Sequence, residues 1–279
     1  MAPPSLRLFV YGHGRRTRYG SAVASDLTPW LTLGLGAAVY AQPEAEAVLA
    51  GFAFGTTQLL WPSNFTTPVG NGLGTPPRAA VRAKWSYRTY DCAPNSPHAF
   101  GVNDLLVVAA LDAGARAAKY LAMEAILPDL NEVLAHVEVG QTFWKLPRNH
   151  LGSSPPPAST PAWWLWRAWA LLMGLEDIGI AVAYKTLHHK RPWLFPIFDN
   201  ETMAKMGGAG AWQVLHDELT DQVGQFTYLE QWFAAQATSR GGVHLTRLRI
   251  HDILLWADTR RERGPLTRAG CQVLGSGGT

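Results

Sequence analysis

The chain has 279 residues, enough for one large domain or two modest ones. Hydrophobic residues make up 47% of it and charged residues 16%, so apolar material for a core is ample, and the net charge of +3 permits nucleic-acid binding without demonstrating it. The two cysteines, Cys92 and Cys271, have no Cys-x-x-Cys partner, which argues against a zinc site or an iron–sulfur cluster and makes a reduced, cytoplasmic setting the expectation.

No apolar run approaches the roughly eighteen residues of a spanning helix, because Trp163–Leu172 is short and contains Arg167, so no membrane partner is expected. The start, Met-Ala-Pro-Pro-Ser-Leu-Arg, lacks a signal-peptide pattern. The twelve tryptophans point to a core rich in large rings.

Residues 1–100 read as an irregular, Gly- and Pro-punctuated N-terminal region packed on the rest. Helices are expected near Ser25–Ala41 and Glu44–Phe54, and the run from Pro68 to Pro77 is a loop by composition. In Arg78–Tyr90, Arg78, Arg82, Lys84 and Arg88 interleave with Trp85, Tyr87 and Tyr90. Such a segment either tracks phosphates and stacks on bases or presents a solvated charged face.

From Val102 the texture is helical. Asn103 or Asp104 can cap a helix running through Leu111, and Ala113–Leu121 and Leu127–His136 continue with helical spacing. Thr142–Pro161 is a Gly/Ser/Pro-rich break. Thr160-Pro161 then starts a helix that runs to about Gly174. Further helices are expected at Ile180–His189, Asn200–Met206, Ala211–Val223, Phe226–Thr238 and Thr246–Arg261, followed by a flexible tail from Gly264. Within the last helix, Asp252 either faces a cleft or pairs with Arg249 in the core, and pairing is favoured. The reading is mainly α, with a helical core over residues 101–263 and a tail over residues 264–279.

The most informative stretch runs from Leu175 to Asp199. Gly179 stands at a turn between two helices, where positive φ and the lack of a Cβ let the backbone approach another molecule. The amides of Gly179, Ile180 and Ala181, at the start of the second helix, would then seat a phosphate oxygen. Lys185, His188, Lys190 and Arg191 make that helix locally basic, suited either to the same backbone or simply to a helix C-terminus. Pro192 and Pro196 force an extended path to Asp199. Asp199 is a natural N-cap for the next helix, and its apolar approach also suits a carboxylate that stabilises positive charge or orients a water.

Leu175, Ile178, Gly179 and Ala183, with Asp199 sixteen residues after Ala183, resemble the hairpin and the catalytic carboxylate of the helix-hairpin-helix (HhH-GPD) superfamily of DNA glycosylases. The match covers roughly residues 160–205. The phrase from Lys185 to Asp199 also resembles an uncharacterised, mainly actinobacterial family related to these enzymes. The sequence departs from the superfamily at Asp177, which replaces the first hairpin glycine and either donates oxygens to a bound monovalent cation or shapes the turn. It departs again at Ala181, which stands where bifunctional members carry a Schiff-base lysine; Lys185 lies one helical turn further on. The cysteine cluster that follows this domain in several relatives is missing.

The resemblance implies a monomeric, monofunctional glycosylase acting on double-stranded DNA without a cofactor or metal. It would flip a modified base and release it by N-glycosidic hydrolysis, with Asp199 catalytic. For the base pocket, Trp61, Trp85, Tyr87 and Tyr90 are candidates to stack on the flipped base, and Asn103 or Asp104 to read its edge. The unusual N-terminal region suggests a substrate such as glycosylated hydroxymethylcytosine in phage DNA, and hence a role in antiphage defence. A non-catalytic helix-hairpin-helix DNA-binding protein and a protein-interaction module are the rival readings.

Overall fold

In the computed structural model, which describes residues 29–55, 86–111, 117–152 and 155–275, a short antiparallel hairpin opens the fold. Its strands are β1 (Leu31–Leu33) and β2 (Ala38–Tyr40), with Leu31 opposite Tyr40 and Leu33 opposite Ala38. The sequence predicts a helix over Ser25–Ala41, of which residues 25–28 lie outside the described residues. Instead Gly34, Leu35 and Gly36 all take positive φ, at 62°, 56° and 84°, which no helix tolerates. The hairpin then buries Leu31, Leu33, Ala38 and Tyr40 on one face. The expected second helix is present as α1 (Gln42–Phe54), with a proline in its first turn.

A π-helical turn at Tyr87–Asp91 and helix α2 (Val102–Val107), extended by a 3₁₀ turn over Val108–Leu111, lead into α3 (Ala117–Ala125) and α4 (Leu127–Ala135). The Gly/Ser/Pro-rich break contains two 3₁₀ turns, at Phe143–Lys145 and Arg148–His150. Helix α5 (Pro161–Met173) starts where Thr160-Pro161 predicts, with the Thr160 hydroxyl accepting the Trp163 amide at 3.2 Å. Helices α6 (Ile180–Lys190), α7 (Asn200–Lys205), α8 (Ala211–Asp221) and α9 (Val223–Ser239) fall within two or three residues of their expected limits. The described residues beyond 100 contain no strand, so the fold is mainly α. No helix among the described residues is long and apolar enough to cross a membrane.

Helix α10 (Arg247–Thr259) runs through the middle of the core, and every residue from Arg247 to Leu255 is buried. Its polar residues are therefore all partnered. Arg247 meets Glu230 at 2.9 Å, His251 meets Glu218 at 2.7 Å, and Arg249 bonds Asp91 at 2.8 Å and Asp252 on its own helix. The pairing of Arg249 with Asp252 is the one the sequence favoured.

The flexible tail expected from Gly264 is instead α11 (Arg263–Gly275), up to the last described residue. Its polar composition hides a narrow face of Leu266, Ala269, Gly270 and Val273, all buried. That face lies against α1, and the two helices meet backbone to backbone. A Cβ on Gly51 would sit 2.0 Å from the Leu266 carbonyl oxygen, and one on Gly270 would sit 1.8 Å from that of Ala47. Arg263 fixes the start of α11 by bonding Glu44 at 2.6 Å and the Val39 carbonyl at 2.6 Å. Gly270→Ala is expected to lower stability by about 1–3 kcal/mol, because the clash is with backbone and the helices must separate. Gly264→Ala, whose Cβ would meet only the Arg268 side chain at 3.5 Å, leaves stability unchanged or slightly higher. Urea midpoints of the two variants check this.

Candidate nucleic-acid interface and carboxylate site

The hairpin joins α5 to α6 through Gly174–Gly179. Ile178 is buried beneath it, while Glu176 and Asp177 are exposed. The left-handed residue is Asp177, at φ 64°, and not Gly179, whose φ of −87° and ψ of 164° are ordinary extended values. This corrects the expectation that Gly179 supplies positive φ. Aspartate is among the few non-glycine residues that tolerate this region, so Asp177 keeps the turn that a glycine would make. What Gly179 contributes is room: a Cβ there would meet nothing within 4 Å. It also leaves α6 without a side-chain cap, so the first-turn amides have no local acceptor from that position. Gly179 is exposed, and Ile180 and Ala181 are half-exposed.

The cations expected to support this grip are mostly elsewhere. His188, Lys190 and Arg191 are 2%, 1% and 4% exposed. The Lys190 amine lies 2.7 Å from the Asp104 carboxylate, donates to the Ser96 carbonyl at 2.9 Å and sits over the Phe100 ring. His188 places Nδ1 2.6 Å from the Phe195 carbonyl; a carbonyl only accepts, so Nδ1 carries the proton. Burial and then the Arg249 charge push its pKa down to about 3, so the ring is neutral. Arg191 Nη2 is 3.4 Å from the Leu134 carbonyl, while its Nε and Nη1 have no hydrogen-bond partner. Lys185 is half-buried and donates to the Leu111 carbonyl at 2.7 Å. His188, Lys190 and Arg191 thus face inward, and of the expected phosphate contacts the hairpin backbone and the half-buried Lys185 are the ones with any access to solvent.

The run from Pro192, expected to be extended, is not so throughout: it first turns, with the Arg191 carbonyl accepting the Leu194 and Phe195 amides at 2.9 and 3.0 Å. It buries Leu194, Phe195, Ile197 and Phe198 and delivers Asp199 to the start of α7. There Asp199 Oδ1 accepts from the Glu201 amide at 3.0 Å, the Thr202 amide at 2.8 Å and the Thr202 hydroxyl at 3.0 Å. The Asp199 amide donates back to Thr202 Oγ1 at 2.9 Å, closing a capping box. Oδ2 turns away from the cap and meets Arg260 at 3.1 Å. Burial raises the carboxyl pKa, but the Thr202 amide and Arg260 outweigh it and hold Asp199 below the ordinary carboxylate value. Asp252 lies within the field of both Asp199 and Lys185. Burial pushes it up to about 6, with Arg249 and Lys185 opposing and Asp199 reinforcing.

Of the expected base-pocket residues, Trp61 and Trp85 lie outside the described residues. Tyr87 is a core residue, not a stacking platform. Its hydroxyl donates to the Val243 carbonyl at 2.7 Å and accepts the Val243 amide at 2.9 Å, and its ring is enclosed by Phe52, Phe54 and Phe233. Tyr90 is likewise buried, its hydroxyl donating to the Lys185 carbonyl at 2.6 Å. Asn103 is exposed at the start of α2. Asp104 is committed to Lys190 and to the Gly101 amide at 2.7 Å. A cavity of about 90 Å³ opens beside the π-helical turn, lined by Tyr90, Asp91, His188, His189, Thr246 and Arg249 among others. Among the described residues, no three His, Cys, Asp or Glu side chains are grouped to hold a metal ion. Sequence reading missed Arg260, which stands 61 residues from Asp199, and Asp91, which stands 158 residues from Arg249. No local pattern marks either.

The burial of Lys190 changes what its replacement does. Lys190→Glu sets two carboxylates together in the interior and acts on folding instead of on a DNA contact. Burial raises the Asp104 carboxyl, but His189, Lys190 and the Gly101 amide outweigh it and place its folded pKa below the ordinary value. A folded pKa below the unfolded one stabilises the fold at pH above the unfolded value, and that contribution disappears as pH falls through the folded value. Asp104→Asn is therefore expected to destabilise by about 3 kcal/mol near neutral pH by stranding Lys190. The gap to wild type narrows in acid, as thermal melts run from neutral pH downward will show.

No curated protein and no solved structure matches the chain. A family model matches residues 76–259, a span that takes in the π-helical turn, the hairpin, Asp199 and all of α10, and ends one residue before Arg260. The chain belongs to DUF6308, a family of unknown function.

Proposed function

We propose that this protein is a monofunctional DNA glycosylase that flips a modified base out of double-stranded DNA and removes it by hydrolysis. The observation that carries this reading is the state of Asp199. It is a carboxylate held ionised at the end of an apolar run, with one oxygen locked by the helix cap and the other turned out of it, sixteen residues after Ala183 of the hairpin helix. In the reaction the N-glycosidic bond breaks, the base leaves with the bonding electrons and takes up a proton, and the sugar passes through an oxocarbenium-like state. Asp199 stabilises that cation and orients the water whose oxygen joins the sugar. With alanine at position 181, no amine stands at the place where related enzymes form a Schiff base, which favours simple hydrolysis and an abasic product. The hairpin amides hold a phosphate of the same strand. A bulky base such as glycosylated hydroxymethylcytosine of phage DNA, removed in defence, fits the departure of the N-terminal region from familiar glycosylases.

The rival, a DNA-binding module without chemistry, is favoured by the threefold engagement of Asp199 Oδ1 in capping α7. Asp199→Asn separates the two, since asparagine keeps a capping oxygen and loses the charge. The glycosylase reading expects release of base from one duplex in a panel of modified DNAs, seen as alkali-labile abasic sites. It also expects a loss of at least about 100-fold in the variant, with DNA binding retained. Equal activity in the variant, or abasic sites in no duplex, removes the reading.

A second variant tests the hairpin. Gly179→Asp has room for its Cβ and an allowed φ, and it gives α6 the cap it lacks, so stability should rise by about a few tenths of a kcal/mol. The same carboxylate occupies the phosphate seat and should weaken DNA binding about tenfold or more, a divergence that melts and fluorescence-anisotropy titrations will show.

A further inference from the structure

Arg260 closes off the one Asp199 oxygen that the cap leaves open. It follows the last residue of α10, is 43% exposed against 16% for Asp199, and holds two carboxylates at once: Nη2 lies 3.1 Å from Asp199 Oδ2 and Nη1 2.7 Å from Glu201 Oε1. The two oxygens of Asp199 are therefore held very differently. Oδ1 is fixed by three short bonds within α7, whereas Oδ2 is held by one long, exposed side chain that pairs in high dielectric. The arrangement conflicts with the chemistry proposed for Asp199. A guanidinium touching Oδ2 occupies the face that a sugar carbon or its attacking water must reach, and its positive charge opposes the developing cation. Arg260 must leave Oδ2 before the reaction, and the nearest new partner is set by the substrate. A nucleotide whose sugar lies against Oδ2 brings its own flanking phosphates within reach of a guanidinium that was touching the same oxygen. Arg–phosphate pairing, bidentate and charge-assisted, is a stronger match than one exposed contact to a carboxylate oxygen.

We propose that Arg260 is an exchangeable partner of Asp199: in the free protein it holds Oδ2, and when DNA docks it passes to a phosphate flanking the target nucleotide and uncovers the carboxylate. This rests on the DNA-glycosylase reading and adds a substrate-contacting residue to it. The exchange makes the exposure of the reactive oxygen depend on DNA being present.

The test is a methylphosphonate scan, in which a duplex carries one neutral linkage at a time around a flipped or abasic-analogue nucleotide. Affinity is measured for wild type, Arg260→Ala, Arg260→Lys and Asp199→Asn. Wild type should lose affinity at several linkages. In Arg260→Ala, one linkage beside the target nucleotide should become silent while the other penalties stay, and the salt slope of binding should flatten by about 0.9. Arg260→Lys should restore sensitivity at that linkage. Asp199→Asn should keep it and bind on the order of threefold to fivefold tighter, since Arg260 no longer gives up an exposed ion pair. An unchanged penalty profile in Arg260→Ala overturns the exchange while leaving DNA binding standing. Failure of wild type to show any salt-dependent affinity or any phosphonate penalty overturns the DNA reading itself.

Discussion

Arg249 is the interaction on which the interior depends. It sits in the middle of α10, bonded on one side to Asp91 of the π-helical turn and on the other to Asp252, with its guanidinium over the rings of Phe52 and Tyr90. One side chain thus binds together α1, the π-helical turn and the central helix. A buried cation between two carboxylates is stable only when all its partners are present, so these elements are constrained to one arrangement. Tyr90 extends the link to α6 through the Lys185 carbonyl, and Lys190 joins α6 to the start of α2 through Asp104. The hairpin and Asp199 stand on this frame.

The same frame takes up part of the positive charge of the chain. Arg247, Arg249, Lys190 and Arg191 are all buried. They compensate interior carboxylates or cap interior carbonyls, and so are removed from the surface field. A basic run on a helix end looks alike in sequence whether it meets phosphate or carboxylate, and here the carboxylates are supplied from elsewhere in the chain.

At Asp199, structure and proposed chemistry share one residue. Capping α7 fixes the carboxylate plane, keeps it ionised and leaves a single oxygen turned outward. In the proposed chemistry, a helix cap is thereby a means of orienting the carboxylate without a dedicated scaffold. The apolar run before it, buried from Leu194 through Phe198, removes the freedom that a loop would otherwise give. Arg260 then stands as the movable element on a rigid carboxylate.

Sequence alone determined the features that depend on near neighbours: the helical texture beyond residue 100, the start of α5 at Thr160-Pro161, the hairpin after Leu175, Asp199 as a cap, and the pairing of Arg249 with Asp252 three residues on. Each rests on local backbone geometry or on the helical repeat, which a chain carries with it. Tertiary structure alone decided which polar residues face inward. The side chains that answer them come from distant segments: Asp104 for Lys190, Asp91 for Arg249, Arg260 for Asp199. It also decided that residues after Gly264 form a helix, because the small residues that read as disorder are what α1 needs for backbone contact. Burial and long-range charge pairing are properties of the assembled core, and no window of sequence contains them.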